Sequence, residues 1–199
     1  RSWPVHVIDQ TSSGADGVKL GDLDGDGRLD VVTGWEEDGL TKLYLQPARK
    51  HLRKPWPAVV LGSTPSVEDA VFCDLNGDGR LEVLSCDEGR SRQILVHWQT
   101  GRNPLVTDSW RQEALPSSEG RMMWMYAEPM QVDGEGGVDL VAGGKGPGAA
   151  IGWFEAPADP RHLANWQWHP ISPVGWLMSI RLHDMDADGD QDIVITDLA

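Results

Sequence analysis

Only two cysteines, Cys73 and Cys86, occur in the 199 residues. That excludes a disulfide framework and a cysteine-based zinc site. The two flank one expected turn, and they read either as a bridge between two strands or as a pair of buried thiols. No apolar run approaches the about 18 residues that a transmembrane helix needs. Positive charge is also scarce: 17 Lys and Arg stand against 31 Asp and Glu, a formal net charge of −14. A surface this acidic repels phosphate, so nucleic acid is not an expected partner. The chain has no Gly-x-Ser-x-Gly and no His-Glu-x-x-His motif, which removes the commonest signatures of serine hydrolases and zinc proteases. No leader is visible at Arg1-Ser2-Trp3-Pro4. An exported protein of this sequence is expected to have lost its leader already.

What is present is ordinary for a globular protein: 40% hydrophobic and 24% charged residues. The length suggests a single domain. The 23 glycines and 13 prolines are spread along the chain. They argue against long helices and for short strands joined by turns.

One acidic pattern repeats. Asp22-Leu23-Asp24-Gly25-Asp26-Gly27-Arg28-Leu29-Asp30 returns as Asp74-Leu75-Asn76-Gly77-Asp78-Gly79-Arg80-Leu81-Glu82. It returns again as Asp184-Met185-Asp186-Ala187-Asp188-Gly189-Asp190-Gln191-Asp192, with a worn copy at Gln131-Val132-Asp133-Gly134-Glu135-Gly136-Gly137-Val138-Asp139. The copies start at 22, 74, 131 and 184, so the steps are 52, 57 and 53. A tryptophan segment keeps the same period, beginning at Trp3, Trp56, Trp110 and Trp166. Each unit reads as four short β-branched or aromatic runs bounded by Gly, Pro and Asp, which is strand chemistry. Four strands in about 53 residues is the arithmetic of a β-propeller blade.

The expected fold is therefore all-β, a propeller of four-stranded antiparallel blades. The units fall at about 10–62, 63–116, 117–171 and 172–199, the last incomplete, in a single propeller region spanning 1–199. Residues 1–9 are expected to form a strand that completes another blade. About seven blades of this size need about 370 residues, so the chain is expected to be part of a larger ring.

The acidic loop has the chemistry of a hard-cation site. Calcium takes six to eight oxygens, and alternate side chains of a tight loop can converge on it. The first loop offers Asp22, Asp24, Asp26 and Asp30, with the carbonyl of Arg28. The second offers Asp74, Asn76, Asp78 and Glu82, with the carbonyl of Arg80. The fourth offers Asp184, Asp186, Asp188 and Asp192, with the carbonyl of Asp190. In the worn copy Gln131 replaces the first Asp, and Asp133, Glu135 and Asp139 form a weaker set. Three calcium ions are thus expected and a fourth is conceivable. An EF-hand is excluded, because its closing Glu at position 12 is here Thr33, Ser85 or Ile195 and the flanks read as strands. Magnesium suits such a cage poorly, since it keeps its waters.

These loops resemble those of FG-GAP/VCBS-type repeats, the family of the integrin α-subunit propeller and of many secreted bacterial proteins. The resemblance implies a calcium-loaded propeller with each ion in the loop joining the first two strands of a blade. It also implies a secreted, periplasmic or cell-surface location and a binding, adhesion or scaffold role toward a glycan or an extracellular protein. Family members include, less often, polysaccharide lyases and sugar dehydratases. A carbohydrate-active enzyme with its site in the channel is therefore the second reading. A subunit that self-assembles through the incomplete blade is the third.

The first strands of a propeller line its channel, so non-repeating polar residues there are the place to look for function. Lys19, Glu68, Asp69, Arg121, Glu128, Arg181 and His183 qualify. Glu68, Asp69, Arg121 and His183 are the candidates for binding a polar ligand or for acid–base work. Of ten tryptophans, Trp3, Trp56, Trp110 and Trp166 recur once per unit and read as packing residues. Trp35, Trp124 and Trp176 fall outside that rhythm and are candidate sugar contacts. The run Gly143 to Gly148 opens no helix and reads as a hairpin turn rather than a phosphate cradle.

Overall fold

The computed structural model describes residues 2–198. Fourteen strands form four antiparallel sheets among them. The first sheet contains β1 (Ala15–Gly21), β2 (Asp30–Trp35), β3 (Leu40–Tyr44) and β4 (Ala58–Ser63), side by side in that order. The second has β5 (Val67–Cys73), β6 (Glu82–Asp87), β7 (Ile94–Gln99) and β8 (Trp110–Ala114). The third has β9 (Met123–Met130), β10 (Asp139–Lys145), β11 (Ala150–Glu155) and β12 (Gln167–Pro173). The fourth consists of β13 (Leu177–His183) and β14 (Asp192–Asp197). Each acidic loop joins the first two strands of its sheet, as in a propeller blade.

The blades pack face to face in chain order, because strand alternation sends neighbouring side chains into different layers. Ala70 and Phe72 face the first blade, where they meet Leu23, Val32, Leu43 and Leu61. Val71 and Cys73, one residue along, face the third blade with Leu84, Trp124, Leu140 and Phe154. A third core joins Val141 and Ile151 to Leu177 and Ile180 of the fourth sheet. A buried polar chain also crosses between the first two blades. Thr41 Oγ1 lies 2.9 Å from Thr64 Oγ1, Thr64 Oγ1 3.2 Å from Ser85 Oγ, and Ser85 Oγ 2.8 Å from His97 Nε2.

The sheets do not close into a ring. Val18 in β1 is 61% exposed, whereas Ala70, four residues before the second loop as Val18 is before the first, is 1% exposed. The first copy of the tryptophan segment also departs from expectation. Residues 2–7 form no strand, and Trp3 and Val5 are exposed. Among the described residues no strand pairs with them. Residue 1, which the expected N-terminal strand included, lies outside the described residues. The other three segments become β4, β8 and β12. In each, the indole Nε1 donates to a carbonyl just upstream: Trp56 to Leu52 at 3.2 Å, Trp110 to Pro104 at 2.9 Å, Trp166 to Pro160 at 3.0 Å.

Cys73 and Cys86 are free and buried. Cys73 stands opposite Glu82 and Cys86 opposite Asp69, so four ladder positions separate them. That is about 13 Å along the strands, far beyond disulfide reach. Burial pushes the Cys73 thiol up to about 12.

Candidate functional site

All four acidic loops share one backbone. The fourth and sixth residues are left-handed in each: Gly25 and Gly27, Gly77 and Gly79, Gly134 and Gly136, Ala187 and Gly189. This curls the chain so that its own amides point at its carboxylates. In the first loop Asp22 accepts from the Asp26 and Gly27 amides at 3.0 and 2.9 Å, and Asp26 from Arg28 N at 2.9 Å. The closing Asp30 is buried and bridges the loop to the sheet, accepting from Leu23 N at 2.9 Å and Gln46 N at 2.8 Å. The fourth loop repeats this with Gly189 N on Asp184, Asp190 N on Asp188 and Met185 N on Asp192.

Carboxylate oxygens of Asp22, Asp24 and Asp30 lie within 4.8 Å of one another, as do those of Asp184, Asp186 and Asp192. Burial, with repulsion from Asp24 and Asp22 added, raises the Asp30 carboxyl. Asp184 Oδ1 is buried without a hydrogen-bond partner, and so is Asp74 Oδ1 at the same place in the second loop. Orphaned oxygens beside converging carboxylates are what a hard cation would satisfy. The residues present therefore fit a divalent ion. In the second loop Asn76 Nδ2 donates to Glu82 Oε1 at 3.0 Å, and Leu75 N to Oε2 at 3.1 Å. Burial pushes Glu82 up to about 7.

The worn loop is closed in a different way. Gln131 Nε2 donates to the carbonyls of Glu135 at 2.9 Å and Gly137 at 2.7 Å. Its Oε1 accepts from Asp133 N and Gly134 N. One neutral amide thus occupies the middle of the loop and takes the seventh-position carbonyl that a cation would use. Asp139 still bridges loop and sheet, through Val132 N and Ala156 N at 2.8 Å each.

Residues 22–85, which run from the first acidic loop through the second, match the FG-GAP-like repeat family. That stretch is an FG-GAP-like repeat region. No curated protein matches the chain. The matched stretch holds the first two acidic loops and the strands between them.

The first strands of the blades bring a second group of residues together. Lys19 of β1 contacts Asp69 of β5, with Nζ 3.5 Å from Oδ2, and hydrogen-bonds Glu128 Oε1 of β9. Asp69 is 1% exposed, and neither oxygen accepts a hydrogen bond among the described residues. Burial pushes it up to about 7 against the pull of Lys19. Burial also works against the Lys19 charge, but Asp69 and Glu128 outweigh it and hold Lys19 above its ordinary value. Gly17 makes the close approach possible: a Cβ there would lie 2.4 Å from Asp69 Oδ1. A cavity of about 200 Å³ opens beside Asp69, walled by Lys19, Tyr126, Met178, Ser179 and Arg181.

Glu68 is the neighbour of Asp69 but belongs to another group. It lies within 4.8 Å of Glu36 and Glu88, oxygen to oxygen, and 3.5 Å from Lys145 Nζ. Burial, then Glu88, pushes Glu68 up to about 7. Lys145 also pairs with Glu88 and sits 4.5 Å over the Trp176 ring, so Trp176 joins this group. The remaining candidates stand apart. Trp124 is wholly buried against Phe154 and Trp168, its Nε1 donating to Ser118 O at 3.0 Å. It has no surface to offer a sugar. Arg121 is exposed in the loop before β9, bonded to Ser117 O. His183 is exposed at the end of β13, opposite Asp192.

Proposed function

We propose that the chain is a calcium-stabilised extracellular propeller module that presents a rigid surface to a glycan or protein partner. The supporting observation is the orphaned, buried Asp184 oxygen at the head of the fourth loop, beside converging carboxylates, with Asp74 orphaned at the same place in the second. Calcium would be held by Asp22, Asp24, Asp26, Asp30 and the Arg28 carbonyl in the first loop. The second would use Asp74, Asn76, Asp78, Glu82 and the Arg80 carbonyl. The fourth would use Asp184, Asp186, Asp188, Asp192 and the Asp190 carbonyl. When bound, the ion supplies charge compensation and cross-links the first two strands of each blade. Loops of this kind suit the millimolar calcium outside cells, where affinities of about 10⁻⁴–10⁻³ M suffice. No helix among the described residues is long and apolar enough to cross a membrane.

We take the units as one propeller region whose open flank, with Val18 and Leu20 exposed, is covered by a further blade of the same chain or another. A channel enzyme is the second reading, favoured by one observation: Asp69 is a buried carboxyl with a raised pKa beside a cavity, as catalytic acids often are. Thermal unfolding in 5 mM calcium and in excess EGTA tests the proposal. A melting temperature that falls by 10 °C or more in EGTA supports it. An unchanged curve means the loops are turns held by their own amides.

A further inference from the structure

The cavity beside Asp69 is built from repeat positions that carry unlike residues. Three residues before each acidic loop stand Lys19, Val71, Glu128 and Arg181; five before stand Gly17, Asp69, Tyr126 and Ser179. Of these, Gly17, Lys19, Asp69, Tyr126, Ser179 and Arg181 line the cavity, so the blade frame repeats while the side chains it sends there do not. That is the pattern of a site laid on a scaffold rather than of the scaffold itself.

The polar groups there are incompletely matched. Asp69 is buried with two oxygens that accept nothing. Lys19 is already committed to Glu128 and to Asp69. Arg181, exposed at the edge of the cavity, makes no ion pair among the described residues. Tyr126 and Met178 complete the wall. A ligand that satisfies this arrangement brings hydrogen-bond donors to Asp69 and an acceptor to Arg181.

We propose that the cavity binds a sugar acid, a single polyhydroxylated ring whose hydroxyls donate to Asp69 and whose carboxylate pairs with Arg181. The guanidinium fork matches a carboxylate in two parallel hydrogen bonds. The donor to Asp69 is a hydroxyl rather than an ammonium, because Lys19 Nζ already stands 3.5 Å from Oδ2 and would repel a second cation. This disfavours amino acids, which otherwise carry the same pair of groups. The Tyr126 ring offers an apolar face to sugar C–H groups. At about 200 Å³ the cavity is smaller than the 300–1,000 Å³ or so of pockets for drug-sized ligands and suits one ring. The proposal deepens the glycan-binding role given above and rests on it.

Titration calorimetry on the full chain in 5 mM calcium tests it, with glucuronate, glucose and alanine as probes. Saturable glucuronate binding is expected, at least tenfold tighter than glucose, with no heat from alanine. Arg181→Gln should bring glucuronate down to the level of glucose. Asp69→Asn should weaken both sugars tenfold or more while circular dichroism stays native. Arg181 is exposed, so its variant carries the test even where the buried substitution disturbs folding. No binding of glucuronate, binding that neither variant changes, or preferential binding of alanine overturns the proposal. Calcium is counted in the same samples. Full calcium without sugar binding refutes the pocket alone, whereas loss of calcium refutes the module reading beneath it.

Discussion

Replacing Gln131 by Asp should turn the third loop from a self-closed turn into a cation site. The substitution removes the amide that donates to Glu135 O and Gly137 O. Two hydrogen bonds at about 1 kcal/mol each make the variant about 2 kcal/mol less stable without metal. The new carboxylate beside Asp133 and Asp139 adds repulsion in the same direction. For a chain of this size that is a fall of about 4–8 °C in melting temperature. With calcium the sign reverses. At 10 mM ion and a dissociation constant of about 0.1 mM, binding adds about 2.7 kcal/mol. The calcium-induced rise in melting temperature should therefore exceed that of the wild type by about 5–10 °C. Scanning calorimetry of both proteins in EGTA and in 10 mM calcium reads this directly. A variant that melts with the wild type under both conditions would refute the claim that Gln131 stands in for the ion.

Three further outcomes follow from single residues. Ala187 is left-handed, with φ of 62°, where the other loops have glycine, so Ala187→Gly should stabilise by about 1 kcal/mol in urea unfolding; a destabilised variant would contradict the strain. His97 is wholly buried and burial pulls it down to about 4. Its folded pKa lies below the unfolded value of 6.5, so its stabilising effect is complete above about pH 6.5 and is lost as pH falls toward 4. Wild type should lose about 2 kcal/mol relative to His97→Gln between pH 7.5 and pH 5 in 10 mM calcium, and parallel profiles would refute this. Cys73 and Cys86 should both be silent to a thiol reagent in the native protein and react once denaturant is added; rapid native reaction would show that the blade interface opens readily.

The blades were legible because their chemistry repeats. The acidic loop and the tryptophan segment share one period, and the runs between them are strands. The N-terminal segment failed as a strand although Trp3-Pro4-Val5-His6 carries the same pattern. A strand needs a neighbour, and pattern alone does not supply one. The pocket was legible only in part. Lys19, Asp69, Glu128 and Arg181 could be placed on first strands from the repeat, but not their mutual contacts, because β1, β5, β9 and β13 meet only through blade packing. Tyr126 and Ser179 were missed, and reading down the fifth position before each loop would have found them. Trp124 reads as a sugar contact because it falls outside the repeat, yet it is wholly buried. It fills the wide core between the second and third blades beside Phe154 and Trp168. Gln131 read as a damaged ligand, yet its amide hydrogen bonds make it a working substitute for one.

The most direct test of the calcium-loop account is a count of calcium per chain. The protein is dialysed to equilibrium against 2 mM calcium, and the excess calcium on the protein side is counted by elemental mass spectrometry against its absorbance. The account predicts three ions for the wild type, one for each of the first, second and fourth loops, and four for Gln131→Asp. No bound calcium in the wild type, or four ions with Gln131 in place, would contradict it.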